Sequence, residues 1–319
     1  MPSMISRKQF LKQIGAVGIT GLTAGSPLLR YFTSNTVKLD AIGLQLYSII
    51  PLLKQDFEGT LQTLSKIGYS EVEFAGPYYF TPGEDGSTSG FYGNDATQMK
   101  AILQQYGLSA PSAHVGLSTL QNNLSGVIEA AHTIGMQYVV CPFLTADQRQ
   151  SLDDYKKLAD DFNTIGEACQ KAGIQFAYHN HCFEFGKKDG QIPYDLLLNS
   201  TDPELVAMEL DLFWITIAGY DPITYFNKYP GRFPAVHVKD MKKKMVLKDP
   251  ANTFENEAAA KKAFGNLEDV GKGVIDFKRI LSQHKKAGIK HYFIERDRPP
   301  QPMQTIKTGY QNLSELEIA

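Results

Sequence analysis

Several short apolar segments of this 319-residue chain end in residues of the kinds that bind cations or move protons. They read Glu71-Val72-Glu73-Phe74, Tyr178-His179-Asn180-His181, Glu209-Leu210-Asp211, His237-Val238-Lys239-Asp240 and Glu295-Arg296-Asp297, and another stops at His114. In an extended chain, residues i and i+2 share a face, so Glu71/Glu73, His179/His181, Glu209/Asp211 and His237/Lys239 each project as a pair. Turned toward a covering layer of helices, such pairs would be buried without partners at high cost. Turned toward a shared interior, they converge on one wet pocket. Four of the seven histidines (His114, His179, His181, His237) stand at these ends, whereas His132, His284 and His291 do not. Any one of them is more often a hydrogen-bonded structural residue, but independent segments delivering His or carboxylate in the same phase are hard to read as packing.

Carboxylates and imidazoles on rigid elements suit a divalent cation. The candidate ligands are Glu184, just past the His-Asn-His segment, with Asp211, His237 and Glu295. Three carboxylates and one imidazole favour Mn²⁺, Mg²⁺ or Co²⁺, with Zn²⁺ also admitted. Open positions on such an ion let a sugar chelate through neighbouring oxygens, which polarises a carbonyl and acidifies the adjacent C–H. Glu184 and Glu295 are then the expected proton carriers through an enediolate. His181 and Lys239 are the expected donors to the developing oxyanion. The competing reading is an unmetallated structural network, which must neutralise several acids with only His237, Lys239 and Arg296 nearby. Lys242-Lys243-Lys244 reads as a solvated face before a phosphate site. Gly271-Lys272-Gly273-Val274-Ile275-Asp276 reads as a turn feeding a helix capped by Asp276, placed to close on substrate. With no nucleophile-elbow serine, acyl transfer has no support.

The elements that must hold these residues recur as one phrase: an amphipathic helix, a glycine, then a short apolar strand. The glycines are Gly68, Gly107, Gly135, Gly173, Gly231 and Gly288, each suited to a left-handed helix cap. With an opening strand over 42–49 and another over 205–213, eight strands alternate with helices. The expected fold is α/β, a single-domain (β/α)8 TIM barrel over 37–319. An open doubly wound sheet would show a Gly-rich phosphate turn, and none is present. The long connections 76–94 and 240–275 leave the carboxyl ends of strands, where barrel sites lie, and are expected to wall or cover the site. Residues 304–319 read as a closing helix.

Charge and composition narrow the function classes. Lys plus Arg is 32 and Asp plus Glu is 34, a formal charge of −2. Residues 1–36 hold Arg7, Lys8, Lys12 and Arg30 and no acid, so the remainder carries 28 bases (32 less these four) against 34 acids. Such a body has no general attraction for phosphate backbones, and nucleic acid is not an expected partner. Cys141, Cys169 and Cys182 stand far apart with no CxxC pair, which argues against a disulfide framework and a zinc ribbon. Residues 5–25 run from positive through apolar to small, the pattern of a secretion signal. Ser6-Arg7-Lys8-Gln9-Phe10-Leu11-Lys12 resembles the twin-arginine export motif with Lys8 in place of the second arginine. Residues 1–36 are therefore expected to be signal and linker, and the protein to be periplasmic or otherwise exported. No run in the remainder has membrane-spanning length.

Taken together, Val72-Glu73-Phe74, Tyr178-His179-Asn180-His181 with Phe183-Glu184-Phe185, Glu209-Leu210-Asp211, His237-Val238-Lys239-Asp240, Gly271-x-Gly273-x-Ile275-Asp276 and Ile294-Glu295 resemble the xylose-isomerase-like TIM-barrel superfamily, the sugar phosphate isomerase/epimerase group. The resemblance covers essentially all of 40–319. It implies one divalent metal on Glu184, Asp211, His237 and Glu295, with the two glutamates as the acid/base pair and His181 and Lys239 touching substrate. It also implies that Glu73 and His114 line the pocket, and His179 and Arg296 are placed with them as substrate contacts. The expected activity is a sugar isomerase or epimerase acting on a free sugar or keto-sugar. The alternatives are a 3-keto-glycoside hydratase or lyase using the same metal site, and a carbohydrate-binding barrel without turnover. The expected partner is a small carbohydrate, and association into a homo-oligomer is left open.

Overall fold

The computed structural model describes residues 37–39, 41–75 and 92–318, and residues 36–319 form one compact unit. The expected signal and linker (1–36) and most of the connection 76–94 lie outside the described residues. Eight parallel strands close into a barrel in chain order. They are β1 (Gly43–Gln45), β2 (Glu71–Phe74), β3 (Ser109–His114), β4 (Tyr138–Cys141), β5 (Gln175–His179), β6 (Val206–Asp211), β7 (Ala235–Val238) and β8 (His291–Ile294). The last strand, β8, pairs with both β7 and β1, which completes the ring. The expected (β/α)8 architecture is therefore present, with a closing helix at Pro302–Ser314.

Helix-to-strand junctions fall at the expected glycines. Gly135 and Gly288 adopt φ of 96° and 86°, and their N–H groups donate to Ala131 O and His284 O at 2.8 Å each. That left-handed cap lets each helix stop and the chain turn directly into β4 or β8. Two strands are shorter than expected. β1 ends at Gln45, whose side chain accepts the Tyr47 N–H at 3.0 Å and starts a 3-10 turn over Leu46–Ile49. β6 ends at Asp211, whose Oδ1 accepts the Trp214 N–H at 2.7 Å and caps the helix Leu212–Ile217. In both cases a polar side chain satisfies the first free backbone donors and overrides the β-pattern beyond it.

Alternation divides each strand between two environments. Leu44, Val72, Val139, Phe176, Met208, Leu210, Val236, Val238 and Ile294 are buried beneath the helices in the main core. Each removes enough apolar surface to stabilise the fold by about 2 kcal/mol. The interior residues between them include a small separate apolar group, Tyr138, Val140, Ala177 and Ala207. Polar side chains occupy further interior positions, Glu73, Ser112, His114, His179, Glu209 and His237, with Phe293 packed 6.0 Å from His291 and 6.3 Å from His237. Glu71 opens β2 and meets His291 Nδ1 at 2.9 Å, where β8 begins. It therefore serves the opposite end of the barrel from Glu295, and the Glu71/Glu73 pair spans two layers.

The 240–275 excursion is ordered around Asp240. Asp240–Met241 pairs antiparallel with Leu267–Glu268, and a helix spans Glu257–Phe264. The Asp240 carboxylate accepts N–H bonds from Met241 (2.7 Å), Gly271 (2.9 Å), Gly273 (2.9 Å) and Ile275 (3.2 Å). A Cβ on Gly273 would lie 2.3 Å from Asp240 Oδ1, so the glycine is required by this close approach. The glycine turn thus clamps a carboxylate of its own chain and does not line the cavity described below. Among the described residues, no helix is long and apolar enough to cross a membrane. Asp240→Ala strands these donors and is expected to destabilise the protein by about 3 kcal/mol in urea unfolding, with Asp240→Asn recovering part of the loss. Unchanged stability of Asp240→Ala would show that the turn stands without it.

Candidate active site

The strand ends bring their ionisable residues together in two linked layers. In the lower one, Glu209 Oε2 lies 2.9 Å from His114 Nε2, 3.1 Å from His237 Nε2 and 3.2 Å from His179 Nδ1. Glu73 Oε2 lies 2.6 Å from His237 Nε2 and accepts the Gln45 side-chain N–H at 2.7 Å, while Ser112 Oγ donates to Glu73 Oε1 at 2.5 Å. In the upper layer, His237 Nδ1 meets Glu295 Oε2 at 2.5 Å. Lys239 Nζ lies 2.8 Å from Glu295, 3.0 Å from Asp297 and 3.1 Å from Asp211. His237 thus joins the layers, with a carboxylate on each ring nitrogen.

Burial and charge oppose each other here, and charge wins at the centre. Burial pulls His237 and Lys239 toward neutrality, but the carboxylates around each hold both well above their ordinary values. Burial raises Glu209 and Glu295, yet the cations facing them, His237 for Glu209 and Lys239 with His237 for Glu295, hold both well below the usual carboxylate range. At the edge of the cluster burial prevails. Asp211 is pushed up to about 6 despite Lys239, and His179 down to about 3. His181 is held well below its ordinary value by burial, with His179 and Lys239 adding to it, and is neutral at physiological pH.

Three of the four expected metal ligands converge. One atom each of Asp211, His237 and Glu295 lie within 4.8 Å of one another, and His114, His179, Glu209 and His237 form a second such group sharing His237. The donor types are imidazole and carboxylate, as in Mn²⁺, Co²⁺ and Zn²⁺ sites. Glu209 Oε1 is buried with no hydrogen-bond partner. Glu73, Glu209, Asp211, Glu295 and Asp297 face few cations, and burial raises Glu73 and Asp297. These residues fit a divalent cation.

Glu184 stands apart from both groups. It follows β5 in the 3-10 turn Phe183–Phe185, where one oxygen accepts the Tyr178 hydroxyl and the other the His181 backbone N–H at 2.9 Å. Because Tyr178 faces outward from β5, it draws Glu184 to the helix side of the strand. Arg296 is also elsewhere than expected. Its guanidinium bonds Asp269, Glu268 (3.4 Å) and Leu267 O (3.3 Å), because alternation past β8 sends 295 and 297 inward and 296 outward.

Above the cluster opens a cavity of about 1110 Å³. His114, His179, His181, Lys239, Glu295 and Asp297 line it, with Tyr47, Phe143, Phe254 and Phe264 among the other lining side chains. Glu73 lies beneath His114 and His237 and does not reach the surface. The 240–275 segment supplies Phe254, Lys261 and Phe264 and so forms a wall, as its length implied. Arg149 fastens it by bonding Ala251 O at 3.3 Å and Glu255. Lys242, Lys243 and Lys244 are exposed. Sequence reasoning assigned no role to Glu209 or Asp297. Each lies two residues from an expected ligand, Glu209 before Asp211 and Asp297 after Glu295, and that spacing was the available signal.

Comparison with known proteins matches residues 61–316 to the family described as xylose isomerase-like TIM barrel. A curated inosose dehydratase from Lacticaseibacillus casei is 28% identical over 142 residues, 44% of this chain and 46% of the relative. The chain thus spans about half the length of the curated relatives it matches at that level. A solved sugar phosphate isomerase/epimerase from Parabacteroides distasonis is 26% identical with a TM-score of 0.67, covering 88% of this chain and 96% of that one. A solved IOLI protein with a binding zinc atom shares the fold at 15% identity and a TM-score of 0.61, covering 86% of this chain and 97% of that one.

The position of Glu184 has a titration consequence. Burial pushes it from an ordinary 4.5 up to about 7. A carboxyl raised in this way favours the folded state while protonated, so its contribution is full below about pH 4.5 and lost as pH rises through about 7. Glu184→Gln is uncharged throughout. Its stability relative to the unaltered protein is expected to rise by about 3 kcal/mol between these limits and then stay level. Urea unfolding across that range checks this, and a pH-independent difference would contradict a buried carboxyl.

Proposed function

The chain belongs to the xylose isomerase-like TIM barrel family, and from that membership we propose a divalent-metal-dependent sugar isomerase or epimerase that moves a proton next to the carbonyl of a free sugar or keto-sugar. The observation that carries this is the cavity lining itself: a charged ammonium (Lys239), an ionised carboxylate (Glu295) and a neutral imidazole (His181) open onto one space. Those are the parts needed to donate to an oxyanion, take a proton and return it. The relatives bearing sugar isomerase/epimerase and dehydratase names support a sugar-processing enzyme.

Asp211, His237 and Glu295 would hold the cation, next to the His114, His179 and Glu209 group; a zinc-bearing neighbour with the same fold supports metal binding without naming the ion. Such a cation, when bound, supplies Lewis acidity for a sugar carbonyl. The chain's own residues do the rest. Lys239 stays charged among three carboxylates and donates to the oxygen on which negative charge develops. Glu295 takes the proton from the adjacent carbon. His181, whose Nδ1 has no partner, carries a proton between the oxygens or back to carbon. Its ring is held by Phe143 at 5.1 Å, Trp214 at 5.5 Å and Phe254 at 5.5 Å, and its backbone by Glu184. Glu184 thus positions His181 in this reading, and Glu295 is the carboxylate at the reacting atoms. Export through residues 1–36 belongs to the same proposal.

A second reading has a specific observation behind it. The curated relative named above is an inosose dehydratase. After the same proton abstraction, loss of a β-hydroxyl, or of the β-oxygen of a 3-keto-glycoside, makes the enzyme a lyase. Product analysis on keto-sugars and keto-glycosides separates the two: an epimeric or isomeric sugar in one case, an unsaturated product or released aglycone in the other.

The purified protein is expected to hold about one Mn, Co, Mg or Zn per chain, lost in Asp211→Ala and Glu295→Gln and kept in Glu184→Gln. Glu295→Gln is expected to lower turnover ~100-fold or more. Elemental analysis beside the activity assay checks both. Sugar binding with no turnover in the unaltered protein, and the same binding in Glu295→Gln, would leave a carbohydrate-binding barrel as the better account.

A further inference from the structure

The cavity is larger and more apolar than a single sugar ring requires. At about 1110 Å³ it exceeds the upper end of clefts that enclose drug-sized ligands, about 300–1,000 Å³. Among the described residues, the exposed large hydrophobics are Val37, Phe143, Val246, Phe264 and Val274, and both aromatics of that set line this cavity. An exposed phenyl ring forgoes the stabilisation of burial, so a pair of them on a cavity wall marks a surface that a ligand covers.

These rings are fixed in an interlocked run. Phe143 packs edge-on against Phe254 at 5.8 Å, and Phe254 against Phe264 at 5.9 Å. Behind them, the chain's single tryptophan, Trp214, touches Phe254 at 5.3 Å and Phe264 at 5.5 Å. At its inner end the run abuts the polar lining, since Phe143 meets His181 edge-on at 5.1 Å. The aromatic wall is thus continuous with the residues assigned to proton transfer, and its side chains carry no hydrogen-bonding group. What covers it is apolar. A second sugar ring would meet these rings only through a C–H face, with no hydrogen bond from them for its hydroxyls, whereas an aromatic or apolar group uses the whole face.

We propose that the cavity has two subsites and takes a glycoside: the sugar ring on His181, Lys239 and Glu295, and an aromatic or apolar aglycone against Phe143, Phe254 and Phe264. The inference rests on the polar lining being the sugar site, as argued above, and narrows its substrate from a free sugar to a glycoside, of which the keto form carries the carbonyl that proton transfer needs. Phe143 and Phe264 are its specificity-determining residues.

The test compares phenyl and methyl glycosides of the same sugar, in glucoside, galactoside and mannoside pairs. Binding to the full metal-loaded chain is followed by Trp214 fluorescence. In at least one pair the phenyl member is expected to bind about tenfold more tightly or better. Phe143→Ala and Phe264→Ala are expected to bring the two members of that pair together. Phe143→Leu and Phe264→Leu, which keep the apolar bulk and guard against misfolding, are expected to fall between. Equal affinity within every pair, a phenyl advantage that survives both alanine variants, or no binding of any member would overturn the proposal. A phenyl preference in a protein that holds no metal and turns over no sugar would keep the aglycone subsite and sink the proton-transfer reading. Turnover of free keto-sugars without any phenyl preference would do the reverse.

Discussion

The site depends on one residue being bonded from both sides. His237 meets Glu295 through Nδ1 and Glu73 and Glu209 through Nε2, in the barrel interior and fully buried. With no cation bound, an imidazole with a carboxylate on each nitrogen is held protonated, and its charge keeps Glu209 and Glu295 ionised; a metal on His237 would displace that proton and supply the positive charge in its place. Such a link works only if β2, β6, β7 and the end of β8 arrive at one height and in one phase. The closed parallel register delivers that, pairing Asp211 with His237 and Phe293 with His237 across neighbouring strands. The arrangement leaves a polar layer in the barrel interior, where other barrels stack branched apolar side chains. Its desolvation is offset by the Leu, Val, Ile and Phe packing on the outer face of the same strands.

Around that link the molecule separates rigid support from open chemistry. Asp240 gathers four backbone N–H groups and anchors the 240–275 excursion, and Arg149 fastens its far side. The excursion can therefore present Phe254 and Phe264 as a fixed wall. Glu184 secures the chain just past β5 through Tyr178 and the His181 backbone, so His181 faces the cavity without being tied up through its own Nδ1. The groups left facing the space are those whose protonation states differ from one another, the condition acid–base work needs.

Much of this was legible in the residues because periodicity and alternation are local physics. The helix–glycine–strand phrase located the barrel strands, and the i, i+2 spacing told which side chains enter the interior. It failed where a single side chain redirected the chain. Gln45 turned the opening strand into a 3-10 helix after three residues, and the expected run to 49 had no way to register that hydrogen bond. Glu184 reads as a ligand beside His181, but it lies past the end of β5, where strand alternation no longer applies, and the outward hydroxyl of Tyr178 claims it. Arg296 was placed in the pocket by type, although its position between Glu295 and Asp297 already put it on the opposite face. Glu209, whose oxygen three histidines share, was visible as a partner of Asp211 but not as the hub, since that needs distances across the barrel.

The central claim is that Glu295, with Lys239 opposite the developing charge, removes a proton from carbon next to a carbonyl. Isomerisation, epimerisation and elimination all begin with that step. It is tested most directly by incubating the metal-loaded protein with a panel of ketoses and keto-glycosides in D₂O and following the α-hydrogen by NMR. The account predicts deuterium at that carbon for at least one member of the panel, at a rate that falls by about two orders of magnitude in Glu295→Gln. No exchange across the panel, or exchange unaffected by Glu295→Gln, would contradict it.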